Sequence, residues 1–116
     1  MKIGTDIIEI KRIAKAIEKP KFLQKYYTEN EINLIKKRGT KVAATNFAGK
    51  EAVSKAFGTG FLNFGPIDIE ILRAKSGEPF VVLHKNAKQI FYDKYKFINI
   101  SLSNSKDYAL AMVIFS

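Results

Sequence analysis

The sequence predicts an α+β fold: an antiparallel sheet with packed helices, one of them long and central. Three observations predict it. Apolar residues recur at helical spacing through most of the first half, and the second half switches to period-two alternation. The segments of that second half are joined by short turns of the hairpin kind, which favour antiparallel pairing over crossover units.

Taken in order, Ile3-Gly4-Thr5-Asp6-Ile7-Ile8 reads as a buried opening strand, with Ile7, Ile8 and Ile10 marking the passage into a helix. From Glu9 to Glu18, Ile10, Ile13, Ala14 and Ile17 share one face while Lys11, Arg12 and Lys15 point outward. Pro20 is expected to break that helix, with a short one following over Phe22–Tyr26. Thr28-Glu-Asn-Glu31 is a capping-box pattern that opens a helix ending at Gly39. A long helix then spans roughly Val42 to Phe57.

Beyond it, Ile67-Asp-Ile-Glu-Ile71 alternates strictly and reads as a half-exposed strand. Ser76-Gly77 is a turn, and Pro79–Leu83 is the partner strand of a hairpin. Asn86–Tyr95 reads as a helix, and Phe97–Leu102 and Tyr108–Phe115 as two strands joined by Ser103–Asp107. No repeat, low-complexity tract or linker divides the chain, so residues 1–116 are expected to form one domain.

Composition narrows the function classes. There is no cysteine, which removes disulfides and zinc–thiolate sites and fits a reducing compartment. No apolar run approaches the roughly 18 residues of a membrane span, and no signal-peptide pattern is read at the start, so the expected location is cytoplasmic. Twenty basic against 11 acidic residues give a net charge of +9, a field that attracts a polyanion, an acidic protein or a phosphorylated cofactor. Aromatic residues are spaced for a core instead of forming base-stacking platforms, which argues against nucleic acid.

The most informative stretch is Asn46–Gly60, Asn-Phe-Ala-Gly-Lys-Glu-Ala-Val-Ser-Lys-Ala-Phe-Gly-Thr-Gly. At about 100° per residue, Ala52, Val53, Ala56 and Phe57 face a core, and Lys50, Glu51, Ser54 and Lys55 fall on the opposite arc. Glu51 and Lys55 stand at i,i+4, where an exposed pair contributes only ~0.3–0.5 kcal/mol. Small residues beside them (Ala48, Gly49, Ala52) admit close approach, and Gly58-Thr59-Gly60 offers a turn for an anion or simply a helix cap. Asp6, a carboxylate in an apolar strand, reads either as a cap for the next helix or as a ligand. Together, Asp6 and Glu51 with lysines nearby fit a magnesium–phosphate site. His84, the single histidine, has no evident nucleophile to serve and reads as a surface or satisfied residue.

These residues add up to a resemblance. The chain resembles the holo-acyl-carrier-protein synthases, bacterial 4′-phosphopantetheinyl transferases. Gly4-Thr5-Asp6 with Ile8–Ile13 is similar to the family's N-terminal segment. Phe47–Gly60 is similar to its signature helix, the most specific block, and Ser101-Leu-Ser103 with Asp107–Ala111 to its closing hairpin. Thr28-x-x-Glu31 and Asp68–Ile71 through Pro79 fit between them, so the likeness covers nearly the whole chain.

The resemblance implies transfer of the 4′-phosphopantetheine arm of coenzyme A to a serine of apo acyl carrier protein, in support of fatty acid biosynthesis, with release of adenosine 3′,5′-bisphosphate. It implies Mg2+ held by Asp6 and Glu51, with Glu51 and Lys55 as catalytic residues. Lys50, Ser54, Lys55, Gly58, Ser103 and Asn104 are implied to contact the coenzyme, and Arg12, Lys21 and Lys25 to dock the acidic carrier protein. The family is typically a homotrimer with active sites between subunits. A water or Glu51 remains open as the acceptor of the serine proton.

Two departures stand out. Two docking positions carry lysine where arginine is common, which keeps charge but loses the bidentate fork. Asn104 stands where histidine is common and can donate a hydrogen bond but not a positive charge. The alternative reading is a non-catalytic basic module that binds acidic proteins or RNA.

Overall fold

The computed structural model describes residues 1–116. Strand β1 (Lys2–Glu9) is followed by four helices, α1 (Ile10–Ala16), α2 (Pro20–Tyr26), α3 (Glu29–Arg38) and α4 (Thr40–Phe57). A 3-10 turn at Pro66–Asp68 leads to β2 (Ile69–Arg73), β3 (Pro79–Leu83), α5 (Lys85–Tyr92), β4 (Ile98–Asn104) and β5 (Tyr108–Phe115). The fold is the α+β arrangement expected, with two antiparallel sheets: β1-β5-β4, and the β2-β3 hairpin.

In the three-stranded sheet Asp6 pairs with Ala111, and Ala111 pairs with Leu102, so these three residues form one row across it. Helix α4 lies against the inner face, where β5 supplies the fully buried Ala109, Ala111, Val113 and Phe115. The helix contributes Ala43, Ala44, Ala48, Ala52, Val53 and Ala56. Its alanines keep the contact short. Gly4 is the position where this matters most, because a Cβ there would lie inside the Ala52 carbonyl oxygen and against the Ala56 amide. Phe57 continues the core into a ring cluster, with its centroid 4.8 Å from Phe64 and 4.9 Å from Phe115.

Several boundaries differ from the sequence reading, each for a local reason. Helix α1 ends at Ala16, and Pro20 begins α2 at a first-turn position where its missing N–H is not needed. The strand expected from Ile67 starts at Ile69, because Asp68 turns back to accept from the Gly65 amide at 3.1 Å. It is not half-exposed, since Glu70 is buried along with its apolar neighbours Ile69 and Ile71. Helix α5 stops at Tyr92, short of Tyr95. Ser103 and Asn104, read as linker, extend β4. Strand β1 is buried on one face only, with Ile3 and Ile7 exposed on the other.

Candidate active site

The seam between β1 and α4 gathers the charged groups singled out above. Because Gly4 lets the strand settle on the helix, Asp6, two residues on, faces the turn of α4 that carries Glu51 and Lys55. The Lys55 ammonium donates to Asp6 Oδ1 at 3.1 Å. Asp6 is mostly covered there, with 15 % of its side chain exposed, whereas 57 % of Lys55 is in solvent. Glu51 is half-buried. Burial and then the negative charge of Asp6 push its carboxyl above the ordinary value, and Lys55 pulls it back. Two carboxylates that repel each other at close quarters beside one cation form a site able to take a small hard cation. Two ligands would leave the remaining positions to waters and phosphate oxygens.

Lys50 is corrected. Expected on the solvent side as a coenzyme ligand, it is fully buried, and its three protons are spent inside the protein. Nζ donates to Glu31 Oε1 at 2.6 Å, to the Pro66 carbonyl at 2.9 Å and to the Ile69 carbonyl. Burial pushes Glu31 up and Lys50 down, and each draws the other back toward its charged form. The other lone pairs of Glu31 are also met. Oε1 accepts from the Thr28 amide at 3.1 Å, and Oε2 accepts from Asn46 Nδ2 at 3.0 Å and the Ile71 amide at 3.3 Å. This network ties the start of α3 to the middle of α4 and to β2.

Ser54 is corrected for the same reason. It is buried and donates to the Glu51 carbonyl at 2.7 Å, so its hydroxyl serves its own helix. Gly58 closes α4 in the left-handed region (φ 81°), its amide donating to the Lys55 carbonyl at 3.0 Å. That amide is committed to the cap and does not face an anion. Ser103 and Asn104 are exposed, but at the other edge of the sheet. With β5 between β1 and β4, the row through Asp6 and Leu102 places the two edges about 10 Å apart.

Arg12, Lys21 and Lys25 are exposed on α1 and α2, the first elements after β1. His84 is satisfied as read, 3.1 Å from Glu70 Oε1, in a cleft that also holds Thr28, Asp68 and Lys85.

The sequence reading missed a second cationic locus. Lys41, Thr45, Arg73 and Asn104 line a cleft of about 210 Å³ between the start of α4, the β2–β3 hairpin and the end of β4. Arg73 sits at the end of a strand and gives no sequence signal; only the fold brings it to Asn104.

The fold thus sets a strand carboxylate against a helix Glu-x-x-x-Lys on a basic surface, a combination suited to binding phosphate groups. Comparison gives the family: the chain belongs to the 4′-phosphopantetheinyl transferase superfamily, whose pattern matches residues 2–113. It is 48% identical over 116 residues to a holo-[acyl-carrier-protein] synthase of Clostridium botulinum, covering 96% of this chain and 94% of that one. To a synthase of the same description from Fusobacterium nucleatum it is 48% identical over 117 residues, covering 97% and 95%. Among solved structures, the Helicobacter pylori holo-[acyl-carrier-protein] synthase in complex with coenzyme A superposes with a TM-score of 0.87 at 33% identity, covering 98% of this chain and 99% of that one. The Bacillus anthracis synthase in complex with CoA (3′,5′-ADP) gives 0.82 at 35% identity, covering 98% and 94%.

Proposed function

We propose that this chain transfers the 4′-phosphopantetheine group of coenzyme A to a serine of apo acyl carrier protein, in support of fatty acid biosynthesis. The serine oxygen forms a bond to the β-phosphorus, the bond from that phosphorus to the adenosine 3′,5′-bisphosphate oxygen breaks, and the serine proton leaves to a base. The observation that carries this reading is the meeting of Asp6, Glu51 and Lys55 on the β1–α4 seam.

Asp6 and Glu51 would hold Mg2+, which when bound supplies charge neutralisation at the diphosphate. Lys55 is exposed enough to swing from Asp6 to a phosphate oxygen and stabilise charge as it builds. The serine proton would pass to Glu51 or to a water beside it. Arg12, Lys21 and Lys25 would dock the acidic carrier protein by steering and rim contacts.

The active site is proposed to lie between subunits of a homotrimer. Asp6 and Ser103–Asn104 stand on opposite edges of one sheet, so one coenzyme molecule reaches both sets most directly across a subunit boundary. The outer sheet face carries exposed Ile3, Ile7, Leu110 and Met112, an apolar surface suited to burial against a second copy. No helix is long and apolar enough to cross a membrane, and we place the reaction in the cytoplasm. The test is an intact-mass measurement of apo acyl carrier protein incubated with the chain, coenzyme A and Mg2+. A gain of one phosphopantetheine is expected. No gain, or an equal gain with Glu51→Gln, overturns the reading.

A further inference from the structure

Helix α4 is held on both sides of Glu51. On one side stands Lys50, fully buried, whose Nζ donates to Glu31 Oε1 at 2.6 Å, to the Pro66 carbonyl at 2.9 Å and to the Ile69 carbonyl. On the other stands Ala52, whose carbonyl oxygen occupies the space that a Cβ on Gly4 would need. One turn before Lys50, Asn46 Nδ2 donates to Glu31 Oε2 at 3.0 Å and to the Ile71 carbonyl at 2.9 Å. The Glu31 carboxylate therefore grips the same face of α4 twice.

The two contacts constrain different motions. The Gly4 contact is van der Waals packing between backbones; it sets how close β1 and α4 come and by itself permits the helix to roll. The Lys50 bonds are directional and run to three separate segments, the start of α3, the 3-10 turn and β2, so they fix the roll. That roll matters at the next residue. Side-chain tips lie about 5–6 Å from a helix axis, so a roll of about 10° moves the Glu51 carboxylate by about 1 Å. A displacement of that size costs about 100-fold in rate where reacting groups must be aligned. Glu51 lacks a tether of its own: Lys55 bonds to Asp6 instead, and Asp6 repels Glu51. Its place is inherited from the helix.

Resting on the transferase reading, we propose that Lys50 is a positioning residue. With Glu31 as its anchor it sets the roll of α4, and so the placement of Glu51 against Asp6 for a divalent ion and the diphosphate. Replacing both partners of a buried ion pair with apolar residues leaves no stranded charge, which separates this role from folding.

The test uses the double variant Lys50→Met with Glu31→Leu, and Glu31→Gln as a milder change that keeps an oxygen for Nζ. The stability control is Tyr95→Ala, which loses ring contacts with Phe91 and Phe115. Two readouts are taken: steady-state kinetics, and binding of Mn2+ in the presence of coenzyme A, followed by electron paramagnetic resonance of the free ion. The double variant should lose about 100-fold in kcat with KM for carrier protein unchanged, and should bind Mn2+ about tenfold more weakly. Glu31→Gln should shift both the same way by less. Tyr95→Ala should unfold at lower urea and match the wild type in Mn2+ affinity. A folded double variant with wild-type kcat and Mn2+ affinity overturns the proposal. So does an equal weakening of Mn2+ binding in Tyr95→Ala, which would make the effect one of general stability. Should the double variant fail to fold, Glu31→Gln decides on the same two readouts. A wild type that binds Mn2+ but modifies no carrier protein defeats the transferase reading instead, and the Mn2+ comparison then decides the role of Lys50 by itself.

Discussion

Lys55 bonds to Asp6 across the β1–α4 seam, Nζ to Oδ1 at 3.1 Å, and not to Glu51 one turn away on its own helix. This pair is exposed enough that solvent and salt leave it little ground-state value. Its ammonium is therefore available to a phosphate. Lys55→Ala is expected to lower kcat about 100-fold with a much smaller change in KM for coenzyme A. Steady-state kinetics check this, and equal losses in kcat/KM through KM alone would show uniform binding instead.

The mutual repulsion of Asp6 and Glu51 leads to a prediction about metal. A divalent cation relieves it, so turnover should stop when the ion is removed by a chelator and return with added Mg2+. Asp6→Asn should raise the Mg2+ concentration needed for half-maximal rate by about tenfold or more. Metal titration of the rate decides the matter, and chelator-resistant turnover would refute the assignment.

The buried Lys50–Glu31 pair concerns stability. Lys50→Ala strands a carboxylate among Thr28, Asn46 and Ile71 and should cost about 3–5 kcal/mol in urea unfolding. Replacing both partners with apolar residues of similar volume, Lys50→Met with Glu31→Leu, should be far milder than either change alone. A double mutant as unstable as the sum of the singles would contradict this.

These residues also show what a sequence discloses. The capping box was readable because it is local: Thr28 Oγ1 accepts from the Glu31 amide at 3.2 Å and Glu31 returns the bond to Thr28. The helix and hairpin order was readable for the same reason, since each rests on spacing within a dozen residues. Asp6 and Glu51 could be paired from residue type and then from family likeness, but their closeness in space depends on Gly4 admitting the helix. Lys50 misled because helical phase alone cannot show that Pro66 and Ile69 cover the far side of α4 with carbonyls. Glu31 was read only as a cap, although the same carboxylate anchors the buried network. Arg73 left no trace, because its neighbours Thr45 and Asn104 come from distant segments.

Charge reversal on α1 tests the docking face. Arg12 is exposed and makes no ion pair, so Arg12→Glu should leave folding intact. It should raise the apparent KM for carrier protein by about tenfold at low salt and flatten its salt dependence. Carrier-protein kinetics that match the wild type would remove α1 from the interface.

Glu70 supplies the pH dependence. Burial alone would raise its carboxyl, but hydrogen bonds from Thr28, His84 and Asn30 outweigh burial and hold it below the ordinary 4.5. A carboxyl lowered in the folded state binds its proton more tightly once unfolded. The stabilisation is therefore fully present above the ordinary value and is lost as pH falls through the folded one. Glu70→Gln, which keeps the shape and cannot ionise, should be less stable than the wild type near neutrality and should lose less stability on acidification. Urea unfolding at about pH 7 and about pH 3.5 measures both. Thr28→Val should move the same way by removing one of the bonds to the carboxylate, along with the N-cap of α3. If Glu70→Gln and the wild type lose equal stability between the two conditions, the lowered carboxyl is not what links α3 to the β2–β3 hairpin.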